Sequence, residues 1–138
     1  TIISQLLFGK EEILLGDIIP TRDLVYVKDT ADAFIEIAKC DSLIGQDCNI
    51  ATEQEISIGD LAQLIIGKIN PKAKIITEEQ RLRPEKSEVF RLLGSRKKLE
   101  EHTGWKPKIN LEQGIDQTIH WFSDKENLKQ YKANIYNL

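Results

Sequence analysis

The sequence predicts a mixed α/β fold that is rich in helix. Several segments repeat apolar residues at helical spacing, and short β-branched runs bounded by glycine or proline lie between them. The chain has 138 residues, of which 41% are apolar and 30% charged, so it can bury the core of one globular domain. We expect four or five helices and a few short strands, which are too scattered for a doubly wound sheet.

The first half of the chain contains two predicted helices and two short strands. Residues 1–9 are predicted to form an amphipathic helix that Gly9 ends, and strands are expected at residues 13–15 and 24–27. Asp29 is predicted to cap the second helix. The expected buried stripe of this helix consists of Ala31, Phe34, Ile35 and Ala38.

The second half is predicted to begin with a strand at residues 48–51. The sequence from Ser57 to Asp60 resembles a capping box, and the helix that it opens ends at Asn70-Pro71. A strand is expected at residues 74–77, and a short helix runs from Ser95 to about residue 102.

Asn110, with Gln113 three residues later, is predicted to open the last long helix. Its expected core face consists of Leu111, Ile115, Ile119 and Phe122. The segment 123–138 is polar and is expected to be a tail or an extension of that helix.

Composition argues against several classes of function. The net charge of −3 provides no basic surface for nucleic acid, and no apolar run approaches the ~20 residues of a membrane span. The spacing of Cys40 and Cys48 fits no metal motif, and neither histidine has a paired ligand nearby, so no metal site is expected. Reduced thiols and the lack of a basic leader favour a cytoplasmic protein.

Motifs for catalysis are incomplete. The sequence has no G-x-G-x-x-G turn, no G-x-S-x-G, and no tyrosine followed four residues later by lysine. We therefore expect no catalytic residue and no bound cofactor in this chain. The first helical pattern also lacks a start signal, which predicts a truncated N-terminus.

Three blocks of the sequence resemble one family. They are PTRDLVYVKDTADAFI at residues 20–35, NIATEQEISIGDLAQLI at residues 49–65, and residues 81–122 from RLRPEKSEVF to the final helix. In this order they resemble the C-terminal half of the extended short-chain dehydrogenases, which include the NAD-dependent nucleotide-sugar epimerases and dehydratases. The third block is more similar to the 4,6-dehydratases.

The resemblance implies that residues 1–122 are a substrate-binding lobe whose Rossmann half is absent. In the family, the glycine-rich cofactor turn and the catalytic tyrosine and lysine lie in that half. NAD would therefore bind to the intact protein, which we expect to be a homodimer, whereas this chain alone would be a monomer.

The resemblance also implies the residues that bind an NDP-sugar. Arg83 would bind the diphosphate with its planar, permanently charged fork, and Glu88 would accept from the ribose hydroxyls, with Glu85 as the competing choice. Arg22 would lie near the phosphates, although a structural pair with Asp23 or Asp29 is the alternative. Arg81 is expected to be a surface charge, and both tryptophans are expected to be packing residues.

Two other functions are left open by the sequence. The chain could be a non-catalytic domain that binds a partner protein, or it could be part of a nucleotide-sugar reductase built on the same scaffold. A charged segment such as RLRPEKSEVF is most often a solvated loop, and only the resemblance favours a binding role for it.

Overall fold

A computed structural model describes residues 1–81 and 89–131. These residues form a mixed α/β fold rich in helix, as predicted. The elements in chain order are α1 (Ile2–Leu7), β1 (Glu12–Leu15), β2 (Thr21–Arg22), α2 (Val27–Ala38), β3 (Ile56–Ser57), α3 (Ile58–Ile69), β4 (Lys74–Thr77), β5 (Arg91–Leu92), α4 (Lys97–Thr103), α5 (Leu111–Ser123) and α6 (Lys125–Leu128). Short 3₁₀ turns occupy Asp41–Leu43 and Glu79–Arg81.

The chain divides into two compact units. Unit 1 contains Thr1–Pro20, Ser57–Phe90 and Ile115–Leu138, and unit 2 contains Thr21–Ile56 and Arg91–Gly114. Each unit has its own apolar core.

Unit 1 is built around the parallel pair β1 and β4, which are in register from Glu12↔Lys74 to Leu15↔Thr77. The buried Gln5 amide of α1 forms two hydrogen bonds with the backbone of β1. It accepts from the Leu14 N–H at 2.9 Å and donates to the Leu14 carbonyl at 3.1 Å. A buried polar side chain is thereby satisfied by backbone groups. The core of the unit consists of Ile3, Leu6, Ile13, Leu15, Ala62, Ile65, Ile66 and Ala73.

Unit 2 has a smaller core and a short sheet with strand order β3-β2-β5. β2 and β5 are parallel, with Thr21 opposite Arg91 and Arg22 opposite Leu92. The core consists of Ala33, Leu43, Leu99 and Trp105. Trp105 is therefore a packing residue, as predicted, whereas Trp121 is 44% exposed and lies edge-on to Phe122.

Several predicted elements are confirmed. The first helix, the strands at β1 and β4, and the helices α3, α4 and α5 lie where the sequence placed them. The helix stops are also confirmed, since Gly9 and Gly104 both adopt positive φ, at 79° and 73°, which glycine tolerates without strain.

Of the two predicted capping boxes, the one at Asn110 is complete and the one at Ser57 is half formed. The Ser57 hydroxyl accepts from the Asp60 N–H at 2.9 Å, although the Asp60 carboxylate bonds the hydroxyl rather than the Ser57 backbone. Asn110 and Gln113 form the full reciprocal pair, at 2.9 and 3.1 Å. These local signals fix where α3 and α5 begin.

The predicted strand at residues 24–27 is wrong. The strand is β2, at Thr21–Arg22, and Val27 is already the first residue of α2, with Tyr26 as its N-cap. Asp29 consequently does not cap this helix. Its buried carboxylate instead accepts from the N–H groups of Lys108 and Ile109, at 3.1 and 2.9 Å, so it anchors the loop before α5.

The predicted buried stripe of α2 is also wrong. Phe34 is 63% exposed and Ile35 is 51% exposed, and Ala31 and Ala38 are exposed as well. The helix buries its other side, where Ala33 and Ile37 pack against the core of unit 2. We call the exposed side, with Val27, Phe34 and Ile35, the α2 apolar face.

The predicted strand at residues 48–51 is not formed. These residues have no strand assignment, although Ala51 is buried and a Cβ at Gly94 would lie only 2.7 Å from the Ala51 Cβ. Both cysteines are free thiols. Within residues 1–81 and 89–131, no helix has the length and apolar character needed to cross a membrane.

Candidate functional site

Arg22 is the predicted site residue that the structure describes. It lies in β2, is half-buried, and donates from Nη1 to the Thr21 carbonyl at 2.8 Å. The two carboxylates considered as its structural partners both accept bonds from backbone N–H groups elsewhere, Asp29 from the loop before α5 and Asp23 from residues 52 and 53. The role of Arg22 therefore stays a prediction.

The strand that carries Arg22 is held by a group that we call the Glu55 clamp, formed by Thr21, Glu55 and Arg91. The Thr21 hydroxyl donates to Glu55 Oε2 at 2.8 Å. Arg91 donates to the same carboxylate from Nε, at 2.9 and 3.1 Å, and from Nη2 at 2.9 Å. This forked geometry is the strong form of an arginine–carboxylate pair.

The electrostatics of the clamp favour its charged form. Hydrogen bonds from Arg91 and then from Thr21 hold the pKa of the Glu55 carboxyl below its ordinary value. The same pairing with Glu55 raises the pKa of Arg91. Both partners are therefore charged throughout the neutral range. Because the pKa of Glu55 is lowered, the ion pair is lost only at a pH below the ordinary pKa of a glutamate.

Asp23 anchors the other side of Arg22. Its carboxylate accepts from the Thr52 N–H at 2.9 Å, from the Thr52 hydroxyl at 2.5 Å and from the Glu53 N–H at 3.0 Å. Its own N–H donates to the Leu92 carbonyl at 2.9 Å. Glu53 adopts a positive φ of 63°, so this contact holds a turn that a non-glycine residue seldom adopts.

A second group of charges surrounds Arg96. Its Nη1 donates to the Thr52 carbonyl at 2.6 Å and lies 3.3 Å from Glu53, and its Nε lies 3.3 Å from Glu100. Lys106 also pairs with Glu100, at 2.7 Å, and this bond is the main cause of the lowered pKa of Glu100. Arg96 therefore joins the turn at residues 52–53 to the start of α4.

A cavity of about 440 Å³ opens beside this group, within unit 2. Its walls combine apolar side chains, such as Leu24 and Ile56, with Glu55, Arg96 and the segment 106–111. Each of its described charged side chains already has an opposite charge as partner, so the cavity offers no unbalanced charge to a ligand.

The sequence also predicts roles for four charged residues of the segment 81–88. Arg83, Glu88 and the competing Glu85 lie outside the described residues. The prediction of Arg81 as a surface charge is wrong, because its side chain is 9% exposed and pairs with Glu78. Burial of an arginine requires such a partner, which the sequence places three residues before it.

Sequence reasoning missed Glu55 and Arg91. The two residues are 36 positions apart, and neither belongs to a short motif. The only available signal was an arginine directly after the predicted loop and a carboxylate before the Ser57 capping box. That signal does not specify a pair.

The eight glycines are isolated in the sequence, which contains no glycine-rich turn of the kind that binds the pyrophosphate of a dinucleotide. Among residues 1–81 and 89–131, no three His, Cys, Asp or Glu side chains are grouped to hold a metal ion.

A family model described as GDP-mannose 4,6 dehydratase matches residues 1–118. The UDP-glucose 4-epimerase of Mycolicibacterium smegmatis is 31% identical over 122 residues, which are 88% of this chain and 37% of the relative. The chain thus spans less than two fifths of the length of this curated relative.

Two solved structures are also similar to this chain over less than two fifths of their own length. The UDP-glucose 4-epimerase of Thermotoga maritima, determined with UDP-glucose, is 26% identical and superposes with a TM-score of 0.74 over 88% of this chain and 37% of that one. RMD from Pseudomonas aeruginosa, determined with NADPH, is 25% identical and has a TM-score of 0.76 over 89% of this chain and 39% of that one. The chain has the fold of one part of these larger proteins.

Proposed function

Because the chain belongs to the GDP-mannose 4,6 dehydratase family, within the nucleotide-sugar epimerases and dehydratases of the extended short-chain dehydrogenases, we propose that it is the NDP-sugar-binding portion of such an enzyme. Residues 1–122 form the lobe that binds the diphosphate and ribose, and residues 123–138 are its polar C-terminal tail or an extension of its last helix. The lobe performs no chemistry by itself. It holds the nucleotide so that the sugar faces a cofactor bound by the absent half of the protein.

The observation that carries this proposal is the position of Arg22 between two anchored neighbours. Thr21 is held by Glu55, and Asp23 is held by residues 52 and 53, so the backbone of Arg22 is fixed before any ligand binds. A fixed backbone at Arg22 spares the ligand the cost of ordering the strand that carries this side chain. Charge-assisted hydrogen bonds of this kind contribute roughly 1.5–3 kcal/mol each.

Arg83 and Glu88 complete the proposed site. Arg83 would bind the diphosphate together with Arg22, and Glu88 would accept from the ribose hydroxyls. Glu85 is the alternative for the ribose.

The test of the proposed function is Arg83→Ala in the full-length protein. We expect KM for GDP-mannose or UDP-glucose, whichever the enzyme turns over, to rise by at least about tenfold, because each lost charge-assisted bond corresponds to roughly one decade or more in affinity. Retention of NAD, measured by absorbance of the purified protein, serves as the control for folding. An unchanged KM would remove Arg83 from the site.

The cofactor of the intact protein is proposed to be NAD, bound by the absent half and by no residue of this chain. The cytoplasmic location, the monomeric state of this chain and the homodimeric state of the parent stay predictions from the sequence. Epimerase, dehydratase and reductase outcomes share this lobe, so its residues do not distinguish among them.

A second function is favoured by the α2 apolar face. Three large apolar side chains exposed on one helix are typical of an interaction surface. In the leading proposal this face contacts the absent cofactor-binding half, whereas in the alternative it binds an unrelated partner protein. The reading frame upstream of Thr1 separates the two, because a glycine-rich strand-turn-helix there supports the enzyme and an unrelated domain supports the alternative.

A further inference from the structure

We propose that Glu55 is a positioning residue, which acts through Thr21 and Arg91 to hold Arg22 in place for a nucleoside diphosphate. The inference deepens the proposed function and rests on the role assigned there to Arg22. It assigns a role in ligand affinity to two residues, Glu55 and Arg91, that need not touch the ligand.

The first step is the direction of the Arg22 side chain. Thr21 and Asp23 both turn their side chains to the loop at residues 52–55. Successive side chains of an extended strand point to opposite faces, so Arg22 points away from this loop. Consistent with that, Arg22 is not among the residues that line the cavity beside Arg96.

The second step is the weakness of the strands themselves. β2 and β5 each contain two residues, so very few backbone hydrogen bonds set their register. The Glu55 clamp adds side-chain bonds at the pair Thr21↔Arg91, directly before the pair that contains Arg22. The register of β2 and β5 is thereby fixed at Thr21, directly beside Arg22, the residue proposed to bind the ligand.

The third step is chain order. β5 is the first strand after the segment that carries Arg83 and Glu88, and Glu88 precedes Arg91 by only three residues. Three extended residues span at most about 11 Å. The clamp therefore holds the chain at Arg91, three residues after Glu88.

The fourth step separates positioning from stability. The side chains of Arg91 and Glu55 are 66% and 31% exposed, and ion pairs at such exposure contribute little to the free energy of unfolding. If a variant of the clamp changes ligand affinity without a matching change in Tm, the cause is therefore the position of Arg22 and not the stability of the fold.

The experiment uses the full-length protein and isothermal titration with GDP, UDP and dTDP, since all three nucleotides occur among the similar proteins. Glu55→Ala and Arg91→Ala are each expected to raise Kd of the preferred nucleotide roughly tenfold, the order expected when a binding group is displaced by a fraction of its contact distance. The charge-reversed pair Glu55→Arg with Arg91→Glu is expected to recover most of the affinity. Lys97→Ala with Glu101→Ala removes an exposed ion pair of α4 in the same unit and is expected to leave Kd unchanged.

A double-mutant cycle with Arg22→Ala supplies the decisive comparison. If Glu55 acts through Arg22, Glu55→Ala has no further effect once Arg22 is removed, and the two changes are not additive. Additive effects would overturn the inference, as would a Kd in Glu55→Ala equal to that of the wild type.

Failure of the proposed function gives a different result. If Arg22→Ala leaves Kd unchanged, or if the wild-type protein binds none of GDP, UDP and dTDP, the proposed site is wrong and the inference is wrong with it. If Arg22→Ala weakens binding while Glu55→Ala and Arg91→Ala do not, only the inference is overturned.

Discussion

Gly16, directly after β1, is a position where the fold requires the absence of a side chain. A Cβ there would overlap the carbonyl oxygen of Arg81 and would lie 2.9 Å from its carbonyl carbon. Both atoms belong to the backbone of the Glu79–Arg81 turn, so a rotamer change cannot relieve the overlap. The glycine is needed for this close approach.

We predict that Gly16→Ala lowers the free energy of unfolding by about 1–3 kcal/mol, the usual cost of overpacking. Gly67 provides the matched control, because it lies within α3 and a Cβ there would meet nothing within 4 Å. Gly67→Ala is expected to stabilise the protein by up to about 1 kcal/mol, since alanine favours the helix. Urea unfolding of both variants checks the opposite signs, and two changes of the same sign would contradict the packing assigned to Gly16.

At the scale of the element, local signals were sufficient where one helix controls its own ends. The capping boxes at Ser57 and Asn110 and the stop at Gly104 involve residues at most four apart, so the sequence contains all the partners. The helical spacing of the apolar residues in α3 is likewise a local signal, since these residues all lie within one helix.

Elements that depend on distant partners could not be predicted in this way. The β-branched run before α2 has strand propensity, but Val27 is the first residue of a helix, because tertiary context overrides propensity. Residues 48–51 have the composition of a strand, yet they pair with no strand of the part of the chain that the structure describes. The two apolar sides of α2 also have similar periodicity, so spacing alone could not decide which one is buried.

The candidate site shows the same limit. Arg22 was found from a motif that includes its immediate neighbours. The Glu55 clamp joins residues that are 34 and 36 positions apart, and only folding brings them together.

The helix cap at Asn110 gives a prediction at this scale. Asn110→Ala removes the acceptor for the Gln113 N–H at the start of α5, so we expect the free energy of unfolding to fall by about 1 kcal/mol. Asn110→Ser keeps an oxygen acceptor and is expected to retain most of the stability. Urea unfolding measures both, and equal losses in the two variants would argue against a capping role.

At the scale of the whole molecule, the chain has two cores and an apolar surface that neither core covers. Val27, Phe34 and Ile35 are exposed on the α2 apolar face, although the same helix buries Ala33 on its other side. Large apolar side chains grouped on one exposed helix side are typical of a surface that contacts another protein surface. The chain spans 37% of the relative from Mycolicibacterium smegmatis, and the cofactor-binding half of the proposed longer protein is therefore the candidate to cover this face.

The final prediction compares one double substitution in two contexts. In this chain alone, Phe34→Ser with Ile35→Ser should change the free energy of unfolding little, because the two side chains are already more than half exposed. In the full-length protein the same change should lower stability by about 2–4 kcal/mol, the apolar burial lost when two large side chains leave a covered interface. Thermal unfolding of both forms measures the difference, with Ile44→Ser, an exposed apolar residue outside α2, as the control. An equal effect in both forms would mean that the absent half does not cover the α2 apolar face, and the interaction-domain alternative would then gain support.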